Sequence, residues 1–349
     1  MQPAIESLQT LSDVFKHVDG HYRIFDMGCR LTKLSATRFY EFENSKKPYP
    51  LPWLRHAWVG ILLWQTACQE AAPTIWFLKF PLDEQGFLIQ AARDEFLHQL
   101  LATIGANMLD QQASAALSDS LQKSHLAFSP DQDRMAAFNA CARSLLKQAA
   151  SAFYQPVRQY MLADKQGDKW QELGIQGFAD LAQHLLNDEC LVKSVADSVP
   201  RLPAPVLSSL AVQCENIALP QPLAEAFLQR GQQAQDGGEK IACLRGISQA
   251  ANSRARQSWL LQLLATGQIL DVELLAVVAS KCQADLRETT VLAAFVEACA
   301  ADQGVFNGLV GELMYQQDLR RAILQLLRSP ERTNRLANAF GQLLQAQTG

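Results

Sequence analysis

Apolar positions are organised differently in the two halves of the chain. In the first hundred residues they form short runs bounded by turn residues: Tyr22 to Asp26, Leu31 to Leu34, Ala57 to Trp64 and Thr74 to Phe80. Short runs rich in β-branched and aromatic side chains fit the strands of a small sheet. A helix from Ile5 to Phe15 precedes them. Ala36 to Asn44 reads as a second helix, capped by Ser35, with Phe39 and Phe42 on its apolar face. Pro48, Pro50 and Pro52 stop that helix and hold an extended connector. The runs Ala57 to Trp64 and Thr74 to Phe80 form an antiparallel pair across the polar stretch Gln65 to Pro73. Ala91 to Ile104 closes the set as a helix with Phe96, Leu97, Leu100 and Leu101 on one side. The expected order is β-β-α-β-β-α, a small domain of residues 1–105.

Residues 106–169 read as a helical connector. Gln111 to Ser124 is rich in Ser, Gln and Ala and reads as a loose linker; Pro130 and Pro156 then open helices. From Trp170 onward, helical apolar faces alternate with short breaks at Pro and Gly. Asn252-Ser253-Arg254, Asp285-Leu286-Arg287 and Asp318-Leu319-Arg320 stand 33 residues apart, each followed by an apolar run. A fixed period of this length is how stacked helical hairpins appear in sequence. In this register Asn252, Asp285 and Asp318 are N-caps of the second helix of each hairpin. Arg254, Arg287 and Arg320 read as a ladder pairing with neighbouring caps. Residues 170–349 resemble HEAT-type repeats, in which an Asp and a downstream Arg mark the same turn. The fold class expected is therefore α+β: a small N-terminal α/β domain followed by an α-helical, HEAT-like solenoid.

Three separated motifs carry a second resemblance. Tyr22-Arg23-Ile24-Phe25-Asp26-Met27-Gly28, Pro48-Tyr49-Pro50-Leu51-Pro52 and Ile75-Trp76-Phe77-Leu78-Lys79-Phe80-Pro81-Leu82-Asp83-Glu84-Gln85-Gly86 are similar to a gammaproteobacterial family, domain of unknown function 3549. The resemblance runs the length of the chain. It implies a bacterial cytosolic protein and carries no activity over to these residues.

Composition narrows the function classes. With 349 residues, 48% hydrophobic and 19% charged, the chain is globular and long enough for two domains. A net charge of −4 and a pI near 5.9 argue against nucleic acid as the main partner, since phosphate binding needs an excess of clustered Lys and Arg. The densest apolar run, Ala57 to Trp64, is far short of the roughly 20 residues a membrane span requires. The first residues have neither a basic nor an apolar signal region, so cytoplasm is the expected location. Eight cysteines are scattered singly with no CxxC pair, which fits buried free thiols better than bridges or a metal site. No cofactor and no metal is expected. Phosphate-loop, dinucleotide, nucleophile-elbow and HExxH signatures do not occur.

The remaining chemistry is sparse. Asp26-Met27-Gly28-Cys29-Arg30 offers an acid, a thiol and a cation around a turn, and reads first as a turn. Asp83, Asp94 and His98 form a thin acid/base or metal candidate, with Asp94 and His98 one helical turn apart. Two readings follow. One is a non-enzymatic adaptor that binds a protein partner through Tyr49 and Trp53 on the Pro-rich connector and through Arg321, Arg328 and Arg332 near the C-terminus. The other is an enzyme with a site of Asp26, Arg30, His56, Asp83 and His98 at the junction of the two halves. Convergence of those five side chains in one pocket discriminates between them.

Overall fold

A computed structural model describes residues 9–17, 21–64, 73–107, 124–163, 168–265 and 271–348. The chain forms two compact units, Met1–Pro130 with Tyr315–Gln317, and Asp131–Met314 with Asp318–Gly349. Residues 131–163, expected as connector, belong to the helical unit, where their apolar faces are buried. The linker reading of Gln111 to Ser124 lies, up to residue 123, outside the described residues. So do residues 5–8 of the first expected helix and residues 65–72 of the hairpin loop.

The first unit runs α1 (Leu11–His17), β1 (His21–Asp26), β2 (Thr32–Leu34), α2 (Ala36–Glu43), β3 (His56–Trp64), β4 (Thr74–Pro81) and α3 (Gln90–Asn107). Its four strands form an antiparallel sheet in the order β2-β1-β3-β4. Register puts Ile24 opposite Ile61, Ile61 opposite Trp76, and Val59 opposite Leu78, so these side chains share one face. That face packs with Phe39, Phe42, Phe96 and Leu100 of the helices. Ser35 caps α2, accepting from Arg38 N–H at 3.2 Å. The outer edge of β4 is covered: Lys79 N–H donates to Leu126 O at 2.7 Å and Phe128 N–H to Phe77 O at 3.1 Å. At the end of α2, the buried Glu43 carboxylate accepts from Leu11 N–H, Ser12 N–H (3.0 Å) and Ser12 Oγ (2.7 Å), and so caps α1 from a distant helix.

The second unit is helical throughout its described residues, apart from an isolated bridge between Leu219 and Ala250. Its helices are α4 (Gln132–Leu145), α5 (Tyr154–Leu162), α6 (Ile175–His184), α7 (Glu189–Ser198), α8 (Ala204–Cys214), α9 (Gln221–Gln233), α10 (Gly237–Ile247), α11 (Ser253–Leu264), α12 (Val272–Lys281) and α13 (Thr289–Cys299). Then come α14 (Gln303–Val305, continued through a π turn at Phe306–Val310 into Gly311–Leu313), α15 (Gln317–Arg328) and α16 (Asn334–Thr348). Pro205 and Pro222 sit at the starts of α8 and α9, where a missing N–H costs nothing. Alternate helices touch: α4 packs on α6, α6 on α8, α8 on α10, α10 on α12 and α12 on α14. In the other set α5 packs on α7, α7 on α9, and α11 on α13. A charged chain crosses the first set. Glu215, just past α8, accepts from Arg245 of α10 (2.8 and 3.2 Å) and Lys281 of α12 (2.6 Å).

The 33-residue motif has a different physical content from the one expected. Asp285 is no helix cap. It begins a 3-10 turn, Asp285–Arg287, is fully buried, and forms a two-point ion pair with the buried Arg256. Glu288 occupies the cap of α13 without a side-chain bond, and Asn252 caps α11 likewise without one. Asp318 lies inside the first turn of α15 and meets Arg287 Nε at 3.3 Å. The ladder between repeats exists at Arg287, but its buried rung uses Arg256 in place of Arg254. Side-chain caps fall instead on Asp236, Asp271 and Asp302, which start the first helix of successive hairpins.

Candidate functional site

The sequence-derived candidates of the first unit are engaged in holding its turns. Asp26 ends β1 and is 1% exposed. Its carboxylate accepts from Tyr49 Oη at 2.8 Å and from Gly28 N–H at 3.2 Å, which fixes the turn after the strand. Tyr49 is itself 3% exposed, with its ring edge-on to Phe42 at 4.9 Å and its N–H on Gly86 O at 2.8 Å. Burial, followed by the charge of Asp26, pushes the Tyr49 phenol well above its ordinary value, so it stays a donor. The expectation that Tyr49 is exposed for a partner is therefore corrected. Its prolines hold an extended connector, and the ring turns inward because its hydroxyl satisfies a buried carboxylate.

His56, Asp83 and His98 have separate local roles. His56 opens β3, with Nδ1 2.6 Å from Leu54 O. Asp83 Oδ1 accepts from Gln85 N–H and Phe87 N–H, both at 2.8 Å, and closes its own turn. His98 is exposed on α3, while Phe96, Leu97 and Leu100 of that helix are buried. Its helical neighbour Asp94 pairs with Arg93 at 2.6 Å. Among the described residues no three His, Cys, Asp or Glu side chains are grouped as a metal would need. Cys29 and Arg30 stay in the turn after Asp26, with the thiol buried.

Trp53 remains at the surface, half-buried, beside a feature the sequence did not announce. Trp53 and His56 exchange two backbone hydrogen bonds (3.1 and 3.0 Å) around Leu54 and Arg55. Both central residues are left-handed, with φ of 50° and 59°. That is the geometry of a type I′ turn, which favours Asn-Gly; a leucine there is strained. Leu54 is 56% exposed at the tip. Trp58 donates its indole N–H to Trp53 O at 2.6 Å, meets Phe128 edge-on at 4.8 Å and lies under Lys79. An aromatic patch with an apolar tip and a cation results.

In α15, Leu319, Ile323 and Leu327 face the core. Arg321 and Arg328 face solvent, and no hydrogen bond or ion pair among the described residues engages either. Arg332 is exposed and, among the described residues, its side chain reaches only Ser329 O, at 3.3 Å. By contrast Arg320 donates to Met314 O at 2.7 Å and Arg335 pairs with Glu297 at 2.8 Å. Three cations are thus left available along one end of this unit.

Comparison with known proteins agrees with the three N-terminal motifs. A family model described as "Protein of unknown function (DUF3549)" matches residues 6–344. The chain belongs to that family. No curated protein and no solved structure matches it. Among the described residues no helix is long and apolar enough to cross a membrane. The HEAT resemblance of the second unit stays one of pattern.

Proposed function

We propose that this protein is a cytoplasmic, non-enzymatic adaptor that binds an acidic protein partner. The observation carrying the reading is the contrast between its two groups of candidates. Asp26 and Asp83 are consumed by their own turns, whereas Trp53, Leu54, Arg321, Arg328 and Arg332 lie at the surface. Exposed aromatic, apolar and arginine side chains are the types that concentrate binding energy. The alternate packing of helices in the second unit supports reading it as a HEAT-like solenoid, an architecture whose repeats line up one continuous face. The charge left over on α15 favours an acidic partner over nucleic acid, given the acidic balance of the whole chain.

The tip offers a clean test. Leu54→Asn suits the left-handed position and keeps the hairpin, while removing the apolar contact. Co-purification of partners from the native cell should fall for this variant, and its melting temperature should match or exceed the parent's. Unchanged recovery of every co-purifying protein overturns the role of the tip.

A further inference from the structure

The second unit contains a polar cleft of about 400 Å³ that none of the candidates above touches. It lies between the C-terminal end of α4 and α6, and Arg143, Lys147, Gln148, Gln183, His184 and Asn187 are among its lining residues. Asp180 also lines it and is 2% exposed. Its Oδ2 accepts from Ser151 N–H (2.9 Å) and Ser151 Oγ (2.5 Å), and its Oδ1 accepts from Gln176 Nε2 (3.3 Å). Asp188 is occupied too, capping α7 through Leu191 N–H at 2.9 Å. Both carboxylates of the cleft are therefore engaged with neutral donors.

The cations are less committed. Arg143 Nη1 stands 3.9 Å from Asp180 Oδ1, beyond hydrogen-bond reach, and this buried nitrogen has no acceptor among the described residues. Lys147 ends α4 in a left-handed conformation, φ 55°. Gln148 N–H bonds Arg143 O (2.9 Å) and Lys147 N–H bonds Ser144 O (3.2 Å), the helix ending that normally uses glycine at this position. The left-handed turn closes the helix end, but a lysine there carries a strain that glycine would avoid. His184 donates from Nδ1 to Asp180 O at 2.8 Å and stacks on Tyr154 at 4.2 Å, which fixes its ring and leaves Nε2 as its other nitrogen. Ser151, His184 and Asp180 are the residue types of a hydrolytic triad, but the hydroxyl donates straight to the carboxylate. The imidazole bonds a main-chain carbonyl, so no base is set to activate the serine.

We propose that this cleft binds a small carboxylate-bearing molecule, with its carboxylate held by Arg143 and Lys147 beside His184. The planar guanidinium fork matches a carboxylate, and Arg143 lines the cleft with its side chain 36% exposed, so the open edge of the fork supplies the donors. Asp180 and Asp188 place two negative charges nearby, which disfavours a dianionic phosphate more than a singly charged carboxylate. The inference is independent of the adaptor reading.

Calorimetric titration of the full chain with acetate, succinate and inorganic phosphate, at matched ionic strength, tests it. Saturable binding of at least one carboxylate, tighter than phosphate, is expected. Arg143→Gln should weaken it at least tenfold. Lys147→Gly should weaken it about fivefold while raising the melting temperature, because glycine relieves the left-handed strain. That second variant keeps the proposal decidable even if Arg143→Gln fails to fold. Absence of saturable carboxylate binding, equal binding by parent and Lys147→Gly, or tighter binding of phosphate would each overturn it.

Discussion

Arg256 grips Asp285 through two hydrogen bonds, Nε to Oδ2 at 2.7 Å and Nη2 to Oδ1 at 3.0 Å, and both side chains are almost wholly buried. The remaining guanidinium nitrogen donates to Ile247 O and Ala250 O, so the arginine also satisfies the end of α10. One residue thus ties three turns of the second unit together.

Removing one partner of such a pair leaves the other charged and buried, a cost of about 3–5 kcal/mol. Asp285→Ala should therefore destabilise the protein by that amount, several times the loss expected from a missing helix cap. Asp318→Ala removes the solvent-exposed counterpart pairing with Arg287 and should cost about 0.5 kcal/mol or less. Chemical denaturation of the two variants checks this. Equal losses would contradict the assignment of one buried and one exposed rung.

The Tyr49 hydroxyl is a second buried commitment. Tyr49→Phe keeps the ring packing against Phe42 but deprives Asp26 of its donor at 2.8 Å. A loss of about 1.5–3 kcal/mol is expected, as for a hydrogen bond to a charged group. A midpoint shift near zero in urea unfolding would mean that the ring alone matters.

Glu43 predicts a pH dependence. Burial raises its carboxyl above the ordinary value of 4.5, outweighing the opposing bonds from Ser12 and Leu11 and the charge of Arg93. The native state therefore holds this proton more tightly than the unfolded chain, and its contribution to stability falls as pH rises from about 4.5 through the raised native value. Glu43→Gln removes that term. The stability of the parent relative to this variant should thus decline between acidic and neutral pH. A difference independent of pH would show that Glu43 titrates alike in the native and unfolded states, against the raised native value.

Thiol chemistry separates Cys190 from other described cysteines. It is exposed, whereas Cys214, Cys243, Cys282 and Cys299 are buried. Burial raises the Cys214 thiol strongly and pushes Cys243 and Cys299 up to about 12, which removes the reactive thiolate. Brief alkylation of the native protein followed by peptide mapping should label Cys190 and spare those four. Comparable labelling of Cys243 would contradict the packing of α10.

The order of elements in the first unit was legible because its strands are short aromatic and β-branched runs and Ser35 and the prolines punctuate them. The helical character of the second unit was legible for the same kind of reason, since apolar spacing survives without tertiary information. The role of Asp285 was not. An aspartate four residues before a helix looks the same whether it caps that helix or meets an arginine 29 positions upstream. Tyr49 misled because prolines predict extension and say nothing about which way a ring turns. The cleft of Arg143, Lys147 and Asp180 left no local motif, since contacts between α4 and α6 assemble it. Leu54 was invisible because nothing in Trp-Leu-Arg-His favours a left-handed turn.

The central claim is that the exposed cations Arg321 and Arg328 of α15, with Arg332 just beyond it, belong to a partner interface. Quantitative mass spectrometry of complexes purified from the native cell, comparing the parent with an Arg321→Glu/Arg328→Glu/Arg332→Glu variant, tests it most directly. The account predicts at least one acidic protein in near-stoichiometric amount with the parent, released by raised salt and depleted from the variant at unchanged melting temperature. Recovery of no near-stoichiometric protein, or equal recovery with both forms, would contradict it.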